Sequence, residues 1–265
     1  MHTVRRTGAL ASRALNRPDR DGVVAEPGHR PRSEEGVEIT IPLHQFDTIL
    51  FDLNGTLAES YDRFGPEQDY HATYRALGGD SLSAREVKSI VEDTIGAVIR
   101  QYRDGPPRPF PALRDCFGPR ASDLGEDQRV LLEETMASHE CGRVPPGRIE
   151  LLQRLAGDFR LGLVSDLWAP AGHCRAYLES LGLARLFSSQ VFSSEHGAVK
   201  PARQLFERAL MELDADPART LFVGDDLERD VAGAAACGLA TVWIGEPQRP
   251  NGADWTLRDV MELGV

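Results

Sequence analysis

From Gly147 onward the chain alternates short apolar runs with segments of helical period, a pattern that calls for a mostly parallel sheet covered on both faces. Apolar spacing predicts helices over 149–156, 171–181, 201–213 and 230–237, the third with Pro201 at its first position. Between them 161–165, 190–193, 220–223 and, as the last strand, 240–244 read as strands. Ser165, Lys200 and Asp225 all fall at or just after strand ends. Ligands of open α/β sheets bind at that edge, in a crevice the packed strands leave open.

A further strand precedes this region. Thr48–Phe51 is apolar or β-branched, and Asp52-Leu-Asn54-Gly55-Thr56 follows as an abrupt turn, which puts Asp52 at the same edge. Residues 58–145 interrupt the alternation. They read as helices over 67–77, from a Ser83/Glu86 capping box to about Arg103, and over 126–139, with no convincing strand. The expected organisation is a tail at 1–36, a core made of 37–57 and 146–265, and a helical module at 58–145 closed by a hinge at 142–147. The tail is rich in arginine, proline and glycine and lacks a sustained period, so it is expected to be disordered. Its deletion is expected to leave melting temperature and activity unchanged.

Composition narrows the function classes. A formal charge of −11 speaks against nucleic acid as the main partner, since phosphate backbones are bound through basic faces. No run is long and apolar enough for a membrane span. Cys116, Cys141, Cys174 and Cys237 show neither CxxC nor CxH spacing, which fits a reducing cytoplasm and not a disulfide or zinc framework. All but two of the 30 Lys and Arg residues are arginines, so Lys88 and Lys200 are candidates for sites that need a compact ammonium.

The strand-end residues have one chemical logic. Mg²⁺ takes hard oxygens, commonly one or two carboxylates plus substrate phosphate. Asp52 and Asp225 can supply carboxylates, and the backbone carbonyl of Asn54 could supply another oxygen. Ser165 offers a hydroxyl and Lys200 a positive charge for phosphoryl oxygens. An Asp nucleophile would split phosphoester hydrolysis into two steps through an aspartyl phosphate.

The segments 49–57, 162–166, 194–201 with Phe206, and 222–226 with Asp230 and Gly233-Ala234 together resemble the haloacid dehalogenase-like hydrolase superfamily, in the branch with a helical cap after the first motif. The resemblance spans 46–245. It implies a Rossmann-like three-layer core, Asp52 as covalent nucleophile, and Ser165 and Lys200 as phosphate ligands. It also implies Mg²⁺ on Asp52, the carbonyl of Asn54 and Asp225, with Asp230 in the outer shell, and a small phosphorylated metabolite as substrate.

Two positions depart from the family pattern. Asn54 stands where most of its phosphatases carry a second Asp as general acid and base, and Asp166 replaces the usual Asn after the serine. Turnover is therefore expected to be slow or atypical, with Asn54→Asp faster by at least about tenfold. Three alternatives stay open: a non-catalytic phosphometabolite-binding protein, carbon–phosphorus cleavage of the phosphonoacetaldehyde hydrolase type with Lys88 as Schiff base, and dehalogenase-like chemistry. Arg63, Arg75 and Arg108 are candidate substrate anion binders in the cap, and the oligomeric state is not legible.

Overall fold

The computed structural model describes residues 41–103, 109–246 and 251–263. The tail expected at 1–36 and the candidate Arg108 lie outside the described residues. Strands β1 (Thr48–Phe51), β2 (Arg160–Ser165), β3 (Phe187–Phe192), β4 (Thr220–Gly224), β5 (Ala240–Ile244) and β6 (Trp255–Leu257) form one sheet. Their order is β3-β2-β1-β4-β5-β6, and every pairing is parallel. The helices are α1 (Tyr70–Ala76), α2 (Ala84–Arg103), α3 (Glu126–Glu140), α4 (Pro146–Asp158), α5 (Gly172–Ser180), α6 (Arg203–Leu213) and the short α7 (Gly233–Ala235).

All of β1 and β4 is buried, which is why these runs are continuously apolar. The two-residue period still divides them between faces. Ile49, Phe51, Leu161, Leu163, Leu221 and Val223 pack with Leu151, Leu155 and Leu178 from α4 and α5. Leu50, Val164 and Phe222 pack with Leu205, Phe206 and Leu210 from α6 on the other side. The result is a Rossmann-like three-layer α/β core. Strand order reverses at β1, with β2 on one side and β4 on the other, so the crevice opens between the carboxyl ends of β1 and β4.

Among the described residues, three α-helices stand between β1 and α4. The capping box starts α2: the Ser83 amide and hydroxyl donate to Glu86 Oε2 at 2.8 and 2.6 Å. Its stripe of Val87, Ile90, Val91, Ile95 and Val98 is buried with Tyr70 and Tyr74 of α1 and Leu132 and Met136 of α3. Trp168 and Val199, from loops following β2 and β3, join the same cluster and seat these helices on the crevice.

Several elements differ from expectation. Helix α1 starts at Tyr70 and not at residue 67, because the Asp69 side chain accepts the Ala72 amide and caps it. Strand β3 begins three residues before the expected 190, and β6, three residues long, carries too little pattern to be read from sequence. Pro201 is not the first residue of α6. Lys200 and Pro201 form a turn in which the Lys200 amide donates to Asp166 Oδ1, and the helix starts at Arg203. The helix expected at 230–237 is instead a π-helical turn, Leu227–Ala232, running into α7, because Asp226 accepts the Glu228 and Arg229 amides and starts the coil earlier. Such wide turns are frequent at functional sites.

Candidate active site

Parallel pairing to β2 and β4 sets Asp52: its amide donates to the Val223 carbonyl at 2.9 Å, carrying the ladder one residue past β1. Its side chain is buried. Ser165 Oγ donates to Asp52 Oδ1 at 2.9 Å and Lys200 Nζ donates to the same oxygen at 2.7 Å. Both donors therefore hold Oδ1, which leaves Oδ2 as the oxygen with no donor among the described residues. Lys200 also donates to Asp230 Oδ1 at 2.6 Å. Burial works against the Lys200 charge, but Asp230, Asp52 and Asp166 outweigh it and raise its pKa above the ordinary lysine value.

Asp225 follows β4. Oxygens of Asp52, Asp225 and Asp230 all lie within 4.8 Å of one another. Loss of hydration, followed by repulsion from Asp52 and Asp230, pushes Asp225 well above the usual carboxylate range. Burial likewise pushes Asp230 up to about 6, against the pull of Lys200. A donor set made of hard oxygens whose mutual repulsion Lys200 offsets only in part suits a hard divalent cation. The backbone makes room for it: Gly55 has φ +96°, and a Cβ there would sit 2.5 Å from Asp225 Oδ2.

Asn54 lines the same cavity, yet its amide is engaged elsewhere. Nδ2 donates to the Glu140 carbonyl at 3.3 Å, and Oδ1 accepts the Gly142 amide at 3.1 Å. The side chain thus bridges to the strand of chain leaving α3. Asp166, the other departure, is also accounted for. It accepts from Tyr102 Oη at 2.8 Å and from the Lys200 amide at 3.0 Å, with Arg229 Nη1 3.8 Å away. Burial still raises its pKa.

The cavity holds about 230 Å³ and also involves Tyr61, Asp62, Tyr102, Glu140, Trp168 and Arg229, none of them singled out from sequence. Tyr61 and Asp62 follow the first motif closely and Arg229 sits between Asp226 and Asp230, so nearness to the motifs was the only signal available. Arg229 stacks its guanidinium 3.5 Å from the centre of the Tyr102 ring, joining the π-helical turn to α2. The cap candidates behave otherwise. Arg63 donates to the carbonyls of Ser60, Cys141 and Ser138, and Arg75 is exposed and away from the cavity. Lys88 donates to the Pro66 carbonyl at 2.9 Å and pairs with Glu92 at 3.8 Å; it does not line the cavity either.

Known proteins resemble this chain in sequence and in fold. The chain is 34% identical over 230 residues to the pyrimidine 5'-nucleotidase YjjG of Escherichia coli (strain K12), across 83% of this chain and 96% of that protein. It is 27% identical over 201 residues to a glyceraldehyde 3-phosphate phosphatase of Methanopyrus kandleri, across 74% and 82%. Among solved structures, a HAD phosphatase from Thermococcus onnurineus superposes with a TM-score of 0.54 at 25% identity, covering 82% of this chain and 96% of that one. The family model for haloacid dehalogenase-like hydrolases matches residues 46–238, a span that contains β1 to α7 and every carboxylate of the crevice, and the chain belongs to that hydrolase family.

Proposed function

We propose that the protein is a Mg²⁺-dependent phosphatase or phosphotransferase acting on a small phosphorylated metabolite through an aspartyl phosphate on Asp52. The observation that carries this reading is the convergence of Ser165 and Lys200 on one oxygen of Asp52 beside two further carboxylates. The named relatives, a nucleotidase and a triose-phosphate phosphatase, share phosphomonoester hydrolysis. A cavity of about 230 Å³ lies below the roughly 300–1,000 Å³ of pockets for drug-sized ligands and favours a small substrate. Residues 58–145 act as the cap over it.

Asp52, Asp225 and the carbonyl of Asn54 would hold Mg²⁺, with Asp230 behind them, and the ion when bound supplies charge neutralisation for the phosphoryl oxygens. Asp52 attacks phosphorus through its unengaged Oδ2, while Ser165 Oγ and Lys200 Nζ turn from Oδ1 to the phosphoryl oxygens as charge redistributes. Asn54 carries no transferable proton, which makes the site atypical. A panel of phosphomonoesters assayed with Mg²⁺ and with EDTA tests the reading: phosphate release that needs the metal and disappears in Asp52→Asn supports it. Release that persists in EDTA, or in Asp52→Asn, overturns it.

A further inference from the structure

Chemistry at an aspartyl-phosphate site needs a group that gives a proton to the departing oxygen and later takes one from water. Asn54 cannot serve, and most cavity carboxyls already have fixed partners. Those of Asp52, Asp166 and Asp230 accept from Ser165, Tyr102 and Lys200. Glu140 accepts the amides of Trp168 and Ala169 at 2.6 and 3.0 Å, Asp226 the amides of its own turn, and Asp225 belongs to the cation set. Glu228 is exposed. Asp62 is different: it is half-buried, lines the cavity, and its carboxyl has no hydrogen-bond partner among the described residues.

The backbone goes to some length to put it there. Asp62 has φ +48° and Ser60 φ +53°, left-handed conformations that L-residues adopt at a cost. Antiparallel pairing with the chain leaving α3 holds them. Glu59 and Arg143 exchange backbone hydrogen bonds of 2.8 and 2.7 Å, and the Arg63 amide donates to the His139 carbonyl at 2.8 Å. The Asp62 amide donates to the Glu140 carbonyl at 3.1 Å, the same carbonyl that receives Asn54 Nδ2. The amide at position 54 therefore fastens the segment that presents Asp62.

We infer that Asp62 carries the proton in both half-reactions, the work that Asn54 cannot do; the inference rests on the phosphoryl-transfer reading above. In the first step Asp52 Oδ2 bonds to phosphorus, the bond from phosphorus to the leaving oxygen breaks, and the Asp62 carboxyl proton passes to that oxygen. In the second, water oxygen bonds to phosphorus as Asp62 takes one of its protons, and the phosphorus–Oδ2 bond breaks to restore the Asp52 carboxylate and release phosphate. Loss of hydration inside the cavity, helped by the nearby Asp52 charge, pushes Asp62 up to about 7, so it holds and releases a proton near neutrality.

The test is leaving-group dependence in Asp62→Asn, an isosteric change that tolerates the left-handed backbone. With an alkyl phosphate, kcat/KM should fall by about 10²–10⁴-fold. With p-nitrophenyl phosphate, whose leaving group needs no proton, a rapid burst of p-nitrophenolate should survive and be followed by a slow steady state. Asp62→Glu should restore part of the loss, and the Mg²⁺-induced melting shift should be unchanged. Wild-type steady-state rates on both esters, or equal loss of burst and steady state, overturn the inference while leaving the Asp52 mechanism standing. A wild type whose phosphate release ignores Asp52→Asn removes the underlying reading instead.

Discussion

Asn54 does with an amide what a carboxylate in its place does not: it donates to the Glu140 carbonyl and accepts from Gly142 at once. This changes the expectation that Asn54→Asp speeds turnover. The substitution removes one of two donors to the Glu140 carbonyl, which keeps the Asp62 amide, and adds charge beside that carbonyl, so a loss of about 0.5–1.5 kcal/mol follows from the broken hydrogen bond, seen as a lower melting temperature, with kcat no higher than wild type. A faster Asn54→Asp would show that the clamp is dispensable. Asp62 makes a separate prediction. Its folded pKa lies near 7 against an ordinary 3.8, so between those values the folded form keeps a proton that the unfolded chain releases, and stability falls as pH rises through that window. In EDTA, Asp62→Asn should therefore gain more melting temperature over wild type at pH 8 than at pH 4.

At the scale of elements, the π-helical turn and α2 are joined by Arg229 on Tyr102, whose hydroxyl reaches Asp166 after β2. Tyr102→Phe keeps the ring and removes the donor, leaving a buried carboxylate short of a partner. A cost of about 1–3 kcal/mol is expected by urea denaturation; an unchanged midpoint would mean that Lys200 and Arg229 suffice for Asp166. Gly55 is the point where β1 turns away from the crevice. Gly55→Ala must accept a left-handed backbone and displace Asp225, so metal-dependent activity should be lost while the far-UV circular dichroism spectrum is retained.

For the whole molecule, mutual repulsion in the carboxylate crevice costs stability, and the cation proposed to bind there would restore it. A ligand at about a hundred times its dissociation constant adds roughly 2.7 kcal/mol, so saturating Mg²⁺ should raise the melting temperature of wild type. Asp225→Asn relieves repulsion from Asp52 and Asp230 and should melt higher than wild type in EDTA, with little further gain from Mg²⁺. Equal Mg²⁺ shifts in both proteins would place the ion elsewhere. No helix of the described residues is long and apolar enough to cross a membrane, and the described cysteines are free.

The sequence by itself determined five of the six described strands and the carboxyl ends that carry Asp52, Ser165 and Asp225, because local signals suffice there. Continuous apolar runs mark β1 and β4, a reciprocal Ser83/Glu86 cap marks the start of α2, and a polar residue after an apolar run marks each strand end at Asp52, Ser165 and Asp225. Only the tertiary structure decided what those ends do together. Asp52 and Lys200 are separated by 148 positions and meet through parallel pairing and a turn held by Asp166. The use of the Asn54 amide depends on carbonyl and amide groups 86 and 88 residues away, and no periodicity announces a backbone partner. Asp62 is, in sequence, one more polar residue after a motif; its place in the cavity comes from a left-handed backbone that pairing with the chain after α3 sustains.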